Sequence, residues 1–360
     1  MKHFTTLFLL FTLLLAACAR TAPTQAPQAA GPITVTDALG REVKLDKLPQ
    51  RIAVTGKASL MILDALYMFP EAKERVVAFE DAVQGDVNFI QLLDPKYPEK
   101  AFLQRDAGVE QFVTAEPDLV LLKSSQAEKY GAPIDALNIP VLYLDFETPE
   151  QYARDLAVVG KIFGNEARAQ ELIQLYQGAV DEINQKVPAA ALKPNVLVLQ
   201  YSDKDGAVAF DVPPTSWMQT RLVELAGGSP VWKDANLGNG WAQVTIEQVA
   251  AWDPDVILVI SYSQDPSSVT ASLKTDPQWQ LLRAVKDGKL YGFPKDIYSW
   301  DQPDTRWLLG LQWLASLLHP SEFGQVDTLQ TARAFYQSAY GMDAATYDAN
   351  ILPITQGDLD

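Results

Sequence analysis

Two stretches of the chain decide its fold, Val109-Glu-Gln-Phe-Val-Thr-Ala-Glu-Pro-Asp-Leu-Val-Leu and Ile246-Glu-Gln-Val-Ala-Ala-Trp-Asp-Pro-Asp-Val-Ile-Leu. They share one pattern at an offset of 137 positions, in which a short helical segment is followed by an acidic residue, a proline, an aspartate and an apolar strand. Proline cannot continue a helix and biases the residue before it towards extended backbone, so the pattern has a structural reason in both places. Its recurrence predicts two related halves.

Short apolar runs alternate with segments of helical spacing on both sides of these stretches. The runs begin at Arg51, Arg75, Asp118 and Pro140 in the first half, and at Asn195, Asp255 and Lys289 in the second. Strands separated by helices indicate βαβ units and mostly parallel sheets. Alternation in Ile33-Thr-Val-Thr-Asp and Glu42-Val-Lys-Leu predicts a β-hairpin ahead of the first unit. The expected fold class is therefore α/β with two lobes.

Composition excludes several functional classes. The chain is 48% hydrophobic and 21% charged, as is typical of a globular protein. Its formal net charge of −16 has the wrong sign for binding nucleic acid. Past Cys18 the sequence holds no cysteine and one histidine, His319, so disulfides, Cys nucleophiles and Cys/His zinc sites are excluded there.

The N-terminus has the pattern of a targeting segment. Lys2 precedes the apolar run Phe4 to Leu15, which is too short to span a bilayer as a helix. The run ends in Leu15-Ala-Ala-Cys18, which resembles the bacterial lipobox, in which Cys18 is lipidated. We predict a lipoprotein signal peptide over 1–17 and a flexible tether over 18–32; the alternative is an ordinary secretory signal with Cys18 incidental.

Motifs of catalysis are not found. Thr55-Gly-Lys-Ala-Ser59 follows a strand but lacks the first glycine of a phosphate-binding loop, because position 51 is arginine. His319 follows an apolar helix, where it is expected to cap the helix rather than act as a base. We therefore expect a protein that is not an enzyme and has no cofactor.

Several features of the sequence resemble the substrate-binding proteins of ABC importers for ferric siderophores, haem and cobalamin. They are the hairpin, the two repeated stretches, the helical joint between the halves and Asp276-Pro-Gln-Trp-Gln. The likeness extends from Ile33 to about Tyr340. It implies two lobes joined by one long rigid helix, a ligand cleft between them, and a monomer that delivers ligand to a permease dimer and its ATPase. The implied divisions are an N-terminal lobe over 33–165, a connecting helix over 166–188, a C-terminal lobe over 189–345 and a tail over 346–360.

The resemblance places ligand contacts where strands end. In this sequence those positions are Lys57, Ser59, Glu80, Asp81, Phe102, Lys123 to Ser125 and, in the second half, Tyr201. Carboxyl ends of parallel strands are where open α/β sheets bind ligands. The cobalamin-binding pattern has tryptophan where this chain has Phe102 and Lys123, which disfavours a flat corrinoid ligand. Haem is also disfavoured, because neither histidine is well placed.

All eight tryptophans lie between Trp217 and Trp313. Trp217, Trp241 and Trp300 stand in polar, loop-like surroundings and are predicted to line the cleft, because rigid rings give contact area at little conformational cost. The alternative for each is packing beneath a loop. Trp307 and Trp313 lie on an apolar helix and are predicted core residues.

Arg306 and two glutamates complete the candidate residues. A cation is disfavoured in a first helical turn, and the resemblance places an arginine of this stretch in the cleft; an ion pair with Asp301 or Asp304 is the alternative. In the resembling proteins, glutamates at the positions of Glu110 and Glu247 meet arginines of the permease.

The prediction is a lipid-anchored, extracytoplasmic binding protein for a ferric siderophore-like chelate. Cobalamin, haem, an oxyanion such as molybdate, and a surface enzyme are its alternatives.

Overall fold

The computed structural model describes residues 31–80, 87–104, 107–187, 192–204, 206–235 and 238–359. Its strands are β1 Ile33–Thr36, β2 Glu42–Leu45, β3 Ile52–Val54, β4 Val76–Glu80, β5 Ala101–Leu103, β6 Leu119–Lys123, β7 Val141–Leu144, β8 Asn195–Lys204, β9 Ala207–Val212, β10 Ser229–Pro230, β11 Ala242–Val244, β12 Val256–Ser261 and β13 Leu290–Gly292. Its α-helices are α1 Ser59–Leu66, α2 Ala72–Arg75, α3 Phe89–Leu93, α4 Val109–Val113, α5 Ala127–Asp135, α6 Pro149–Phe163, α7 Glu166–Lys186, α8 Met218–Leu225, α9 Ile246–Trp252, α10 Pro266–Thr275, α11 Arg283–Lys286, α12 Trp307–Leu318, α13 Pro320–Phe323, α14 Thr328–Tyr340 and α15 Ala344–Asn350.

The first lobe is built on a parallel five-stranded sheet in the order β5-β4-β3-β6-β7. Strands β3, β6 and β7 are buried along their whole length, as expected when helices cover both faces. β1 and β2 form the predicted antiparallel hairpin, with Ile33 opposite Leu45. The α/β fold class is confirmed in this lobe.

The second lobe has a mixed sheet in the order β11-β9-β8-β12-β13, with β10 beside β8. β8 pairs in parallel with β12 but antiparallel with β9, which the sequence analysis did not anticipate. The cause lies after β8, where Gly206 adopts a φ of 82° and its N–H donates to the Asp203 carboxylate at 2.9 Å. This left-handed glycine turns the chain back along β8, so a hairpin extends one edge of the sheet.

The repeated stretches form the same unit in both lobes. Each places a short helix, α4 or α9, before a central strand, β6 or β12. The residue before the proline is not extended, as the proline predicted, but left-handed in both, with φ of 47° at Glu116 and 43° at Asp253. The following aspartate then accepts a main-chain N–H from the neighbouring strand: Asp118 from Arg51 at 2.8 Å, and Asp255 from Asn195 at 2.7 Å. The motif therefore aligns two adjacent parallel strands.

The two sheets are separated along the chain by α6 and α7. Gly164, in the left-handed region, ends α6, and the Asn165 side chain caps α7. The helices pack so closely that a Cβ on Gly160 would lie 2.5 Å from that of Ala169. With 21 residues, α7 is about 31 Å long, long enough to reach from one lobe to the other.

The C-terminal part packs against the second lobe. Trp307 and Trp313 on α12 are buried, as predicted for core residues. The segment expected as a tail, 346–360, begins inside α15, and Ile351 is fully buried. Asp358 accepts the main-chain N–H of Gly292 at 2.7 Å, and its carbonyl accepts the Trp313 indole N–H at 2.8 Å. This segment therefore stabilises the end of β13.

Candidate functional site

The carboxyl ends of the first-lobe strands form one rim of the candidate cleft. Glu80 closes β4 and accepts the main-chain N–H of Gly56, beyond β3, at 2.8 Å. The Gln126 side chain, beyond β6, accepts the main-chain N–H of Lys57 at 3.4 Å. These contacts bring the exposed Lys57 and the half-buried Ser124 together on neighbouring loops.

The other first-lobe candidates differ in accessibility. Ser59 is buried as the first residue of α1. Lys123 is 2% exposed, and its ammonium group binds the main-chain oxygen of Asp145 and, at 2.6 Å, the carboxylate of Glu147. Phe102 is 45% exposed on the edge strand β5, where its ring contacts Phe79 and Tyr97. Asp81 lies outside the described residues.

Three half-buried aromatic rings lie together in the second lobe. Trp217 precedes α8, Trp241 precedes β11, and Tyr262 follows β12. The Trp217 and Trp241 centroids are 5.5 Å apart with their planes at 89°, and Tyr262 is 6.5 Å from Trp241 at 65°. We call Trp217, Trp241 and Tyr262 the aromatic corner. The structure thus brings together two rings predicted from sequence and a third that was not.

Asp301 holds the third ring from below. This buried carboxylate accepts the Tyr262 hydroxyl at 2.9 Å and the Gln219 amide N–H at 2.8 Å. Burial raises the pKa of Asp301, and hydrogen bonds from Ser299, Gln219 and Tyr262 oppose that rise. Burial and the neighbouring Asp301 raise the pKa of Tyr262 well above its usual value, so its hydroxyl remains a donor. Tyr201 pairs with Ser261 on the neighbouring strand, and its ring packs against Phe210 with the centroids 5.8 Å apart.

Tyr262 was missed although the repeat contained the necessary signal. Ser125, at the end of the first-lobe strand that follows the repeated stretch, was a candidate by resemblance. The 137-residue offset places Tyr262 at the equivalent position after β12. Asp301 was considered only as a partner for Arg306, because a carboxylate 39 residues from Tyr262 gives no local pattern.

Two expectations are corrected by burial. Trp300 is 0% exposed and therefore does not line an open cleft. Arg306 is also 0% exposed, and its guanidinium donates to Asp64 of the first lobe at 2.8 Å and lies 3.1 Å from Asp296 of the second. Of the two alternatives, a pair with Asp301 is not seen among the described contacts, whereas the pair with Asp304 is present: its carboxylate lies 3.8 Å from the Arg306 guanidinium and accepts the Arg306 main-chain N–H at 2.6 Å.

Aromatic rings enclose the Arg306 guanidinium. Its central carbon lies 4.4 Å from the Phe89 centroid and 4.9 Å from that of Tyr298, and its Nε donates to the Tyr336 hydroxyl at 2.7 Å. Burial raises the pKa of Asp304 to about 8, with Arg306 opposing the rise. The buried ion pair between Arg306 and Asp64 therefore links the two lobes.

Glu110 and Glu247 occupy the same position in the two lobes. Both are exposed and lie in the first turn of their helices, α4 and α9. Hydrogen bonds from the Thr245 hydroxyl and the main chain lower the pKa of Glu247. The two carboxylates therefore form an equivalent pair on the surface.

Among the residues that the structure describes, we find no cluster of three or more His, Cys, Asp or Glu side chains suited to a metal ion. Over the same ranges, every helix falls short of the length and apolar character that crossing a membrane requires.

Comparison with known proteins gives consistent matches. The family described as periplasmic binding protein matches residues 52–297. The molybdate-binding protein MolA of Haemophilus influenzae is 25% identical over 336 residues, covering 86% of this chain and 88% of the relative. A vitamin B12-binding protein of Yersinia pestis is 24% identical over 229 residues, covering 59% and 79%. A periplasmic solute binding protein from Veillonella parvula has a TM-score of 0.72 at 23% identity, covering 90% and 98%.

Proposed function

The chain belongs to the periplasmic binding protein family, and from that premise we propose that it captures a ferric siderophore-like chelate and delivers it to an ABC permease. The family consists of extracytoplasmic solute-binding proteins of ABC transporters, not of enzymes. The observation that carries the choice of ligand is the aromatic corner. Half-buried rings at a cleft rim suit a bulky, partly apolar ligand better than a small ion.

The proposed contacts come from both lobes. Lys57 and Ser124 offer polar groups from the first, while Trp217, Trp241 and Tyr262 offer ring surface from the second. Phe102 and Tyr201 stand nearer the ends of the cleft in this proposal, and Asp81 is kept as a contact by resemblance. Arg306 and Trp300 are left out because no part of either is exposed.

Changing the corner should weaken binding. We expect Trp241→Leu to lower affinity for a ferric trihydroxamate chelate by about tenfold or more, because a central aromatic anchor typically contributes over 1.4 kcal/mol. The measurement is calorimetric titration, with quenching of tryptophan fluorescence as a second signal. Trp252→Leu is the matched control, since Trp252 is also half-buried but ends α9 outside the corner.

Molybdate is the second candidate, because the relative named for it matches most of this chain. A site for a small oxyanion needs converging N–H groups or a free arginine. Among the described residues, Arg306 is committed to Asp64, and Arg154 to Asp145 and Asp155. Tight molybdate binding that is indifferent to Trp241→Leu, with no binding of ferric chelates, would overturn the proposal.

Docking to the permease is proposed through Glu110 and Glu247. Their equivalent exposed positions support it, because two related lobes presenting one carboxylate each can engage two equivalent basic pockets on a two-fold transporter. The alternative is that each glutamate only stabilises its helix N-terminus, worth a few tenths of a kcal/mol.

The anchor is proposed from sequence, because Cys18 lies outside the described residues. A lipidated cysteine carries more than one acyl chain, and stable membrane attachment needs at least two. Cys18→Ala should therefore move the protein from the membrane fraction to the soluble fraction, measured by immunoblot, with an unchanged melting temperature. Continued sedimentation of the variant with membranes would rule out lipid anchoring through Cys18.

A further inference from the structure

We infer that the aromatic corner, with Asp301 beneath it, is a subsite for a cationic group such as a substituted or quaternary ammonium carried by the ligand. The inference rests on the proposed function only in placing the corner in the ligand cleft. It adds the charge of the ligand, which the family does not determine.

The three rings of the aromatic corner are steeply inclined to one another. Trp217 and Trp241 stand edge to face at 89°, and Tyr262 is inclined by 65° to Trp241. Rings that meet at steep angles present faces in different directions around one position, whereas a platform for a flat ligand would present one plane. Ring faces carry negative potential and attract cations, with tryptophan the most effective residue.

The carboxylate of Asp301 lies beneath the aromatic corner. Asp301 is fully buried, and one of its oxygens accepts hydrogen bonds from the Tyr262 hydroxyl at 2.9 Å and the Gln219 amide at 2.8 Å. A carboxylate that accepts a hydrogen bond from the phenol hydroxyl adds negative charge behind the Tyr262 ring. In a desolvated setting such a charge is poorly screened, so it favours a cation in the corner.

Neighbouring charges are consistent with this assignment. The ammonium group of Lys295 approaches Tyr262 on its main-chain side, where it donates to the carbonyl oxygen at 3.1 Å. Arg306 is fully buried, is held by Asp64 and Asp296, and is not available to an anion. The whole chain carries a formal charge of −16, which raises the local concentration of cations over anions.

The test uses two probes of one shape. The neutral probe, dimethylbutanol, is 3,3-dimethyl-1-butanol. It has the shape of choline but carries a neutral carbon where choline has its quaternary nitrogen. We expect choline to quench tryptophan fluorescence with an affinity about tenfold higher than dimethylbutanol in the wild-type protein. Equal affinities would overturn the inference, because shape alone would then explain binding.

Asp301→Asn tests the effect of the buried charge while keeping the hydrogen-bonding geometry. Asparagine keeps an oxygen for Tyr262 and Gln219 but removes the charge, so the preference for choline should fall by several-fold while binding of dimethylbutanol stays unchanged. Asp211→Asn is the control, since Asp211 is a half-buried aspartate on β9. A wild-type preference in Asp301→Asn would overturn the role of Asp301. If that variant does not fold, Trp241→Leu takes its place and should abolish the preference.

A third probe pair links the inference to the proposed ligand. A ferric trihydroxamate chelate with a pendant ammonium group should bind several-fold more tightly than the same chelate with that amine acetylated. If neither chelate binds but choline is still preferred over dimethylbutanol, the subsite stands and the proposed ligand is wrong. If both chelates bind equally and choline shows no preference, the proposed function stands and the cationic subsite is wrong.

Discussion

Reversing both repeated glutamates, Glu110→Arg with Glu247→Arg, is expected to abolish uptake of radioactive iron presented as a ferric chelate and to abolish stimulation of the transporter's ATP hydrolysis. Each carboxylate is proposed to meet a basic pocket of one permease subunit, and reversal replaces attraction with repulsion on both sides of a two-fold contact. Ligand affinity and melting temperature should change little, because both side chains are exposed and each stabilises its helix by only a few tenths of a kcal/mol.

A second pair of first-turn glutamates provides the control. Glu166 and Glu322 are exposed in the first turns of α7 and α13, and Glu166→Arg with Glu322→Arg produces the same change in net charge. This control should transport normally. Co-purification of the permease with each variant gives a readout that does not depend on the ligand. Normal transport by the Glu110/Glu247 variant would refute the docking assignment, and loss of ligand binding would show a structural role.

Replacing Arg306 should give the largest loss of stability of any single change considered. Arg306→Met removes the cation that pairs with Asp64 and Asp296, both of which are buried. Breaking a buried ion pair from one side costs about 3–5 kcal/mol, because the remaining buried carboxylates are left without a cation. Urea unfolding of the wild type and variant gives the difference directly.

Two further variants show whether the buried pairing is the cause. Arg221→Met breaks a surface pair with Glu224 and should cost no more than about 1 kcal/mol. Asp64→Asn combined with Arg306→Met should recover part of the loss, since it removes the charge on one of the orphaned groups. If Arg306→Met unfolds like the wild type but binds ligand poorly, Arg306 is a ligand contact and the burial argument fails.

Much of the fold was predictable because its signals are local. The repeated stretches predicted two related units, and short apolar runs separated by segments of helical spacing predicted βαβ units and mostly parallel sheets. The β8–β9 hairpin was missed although Asp205-Gly206 is a known hairpin signal, because the parallel pattern of the first half was extended to the second.

The candidate site was predictable only in part, because burial depends on contacts between distant residues. Trp241 and Trp300 both stand in polar loop sequence, yet Trp241 is half-buried and Trp300 is fully enclosed. No local feature of either sequence distinguishes them. Tyr262 could be assigned to the candidate site through the repeat, whereas Asp301, whose carboxylate binds its hydroxyl, could not.

The sequence by itself determined the fold class, the two-fold repeat and the equivalent placement of Glu110 and Glu247, since each depends on spacing along the chain. Only the tertiary structure decided the role of Arg306, whose partner Asp64 lies 242 positions away in the other lobe. It likewise decided the composition of the aromatic corner and its support by Asp301. The physical reason is that periodicity and turn chemistry act between near neighbours, while desolvation and charge pairing depend on which surfaces the folded lobes bring together.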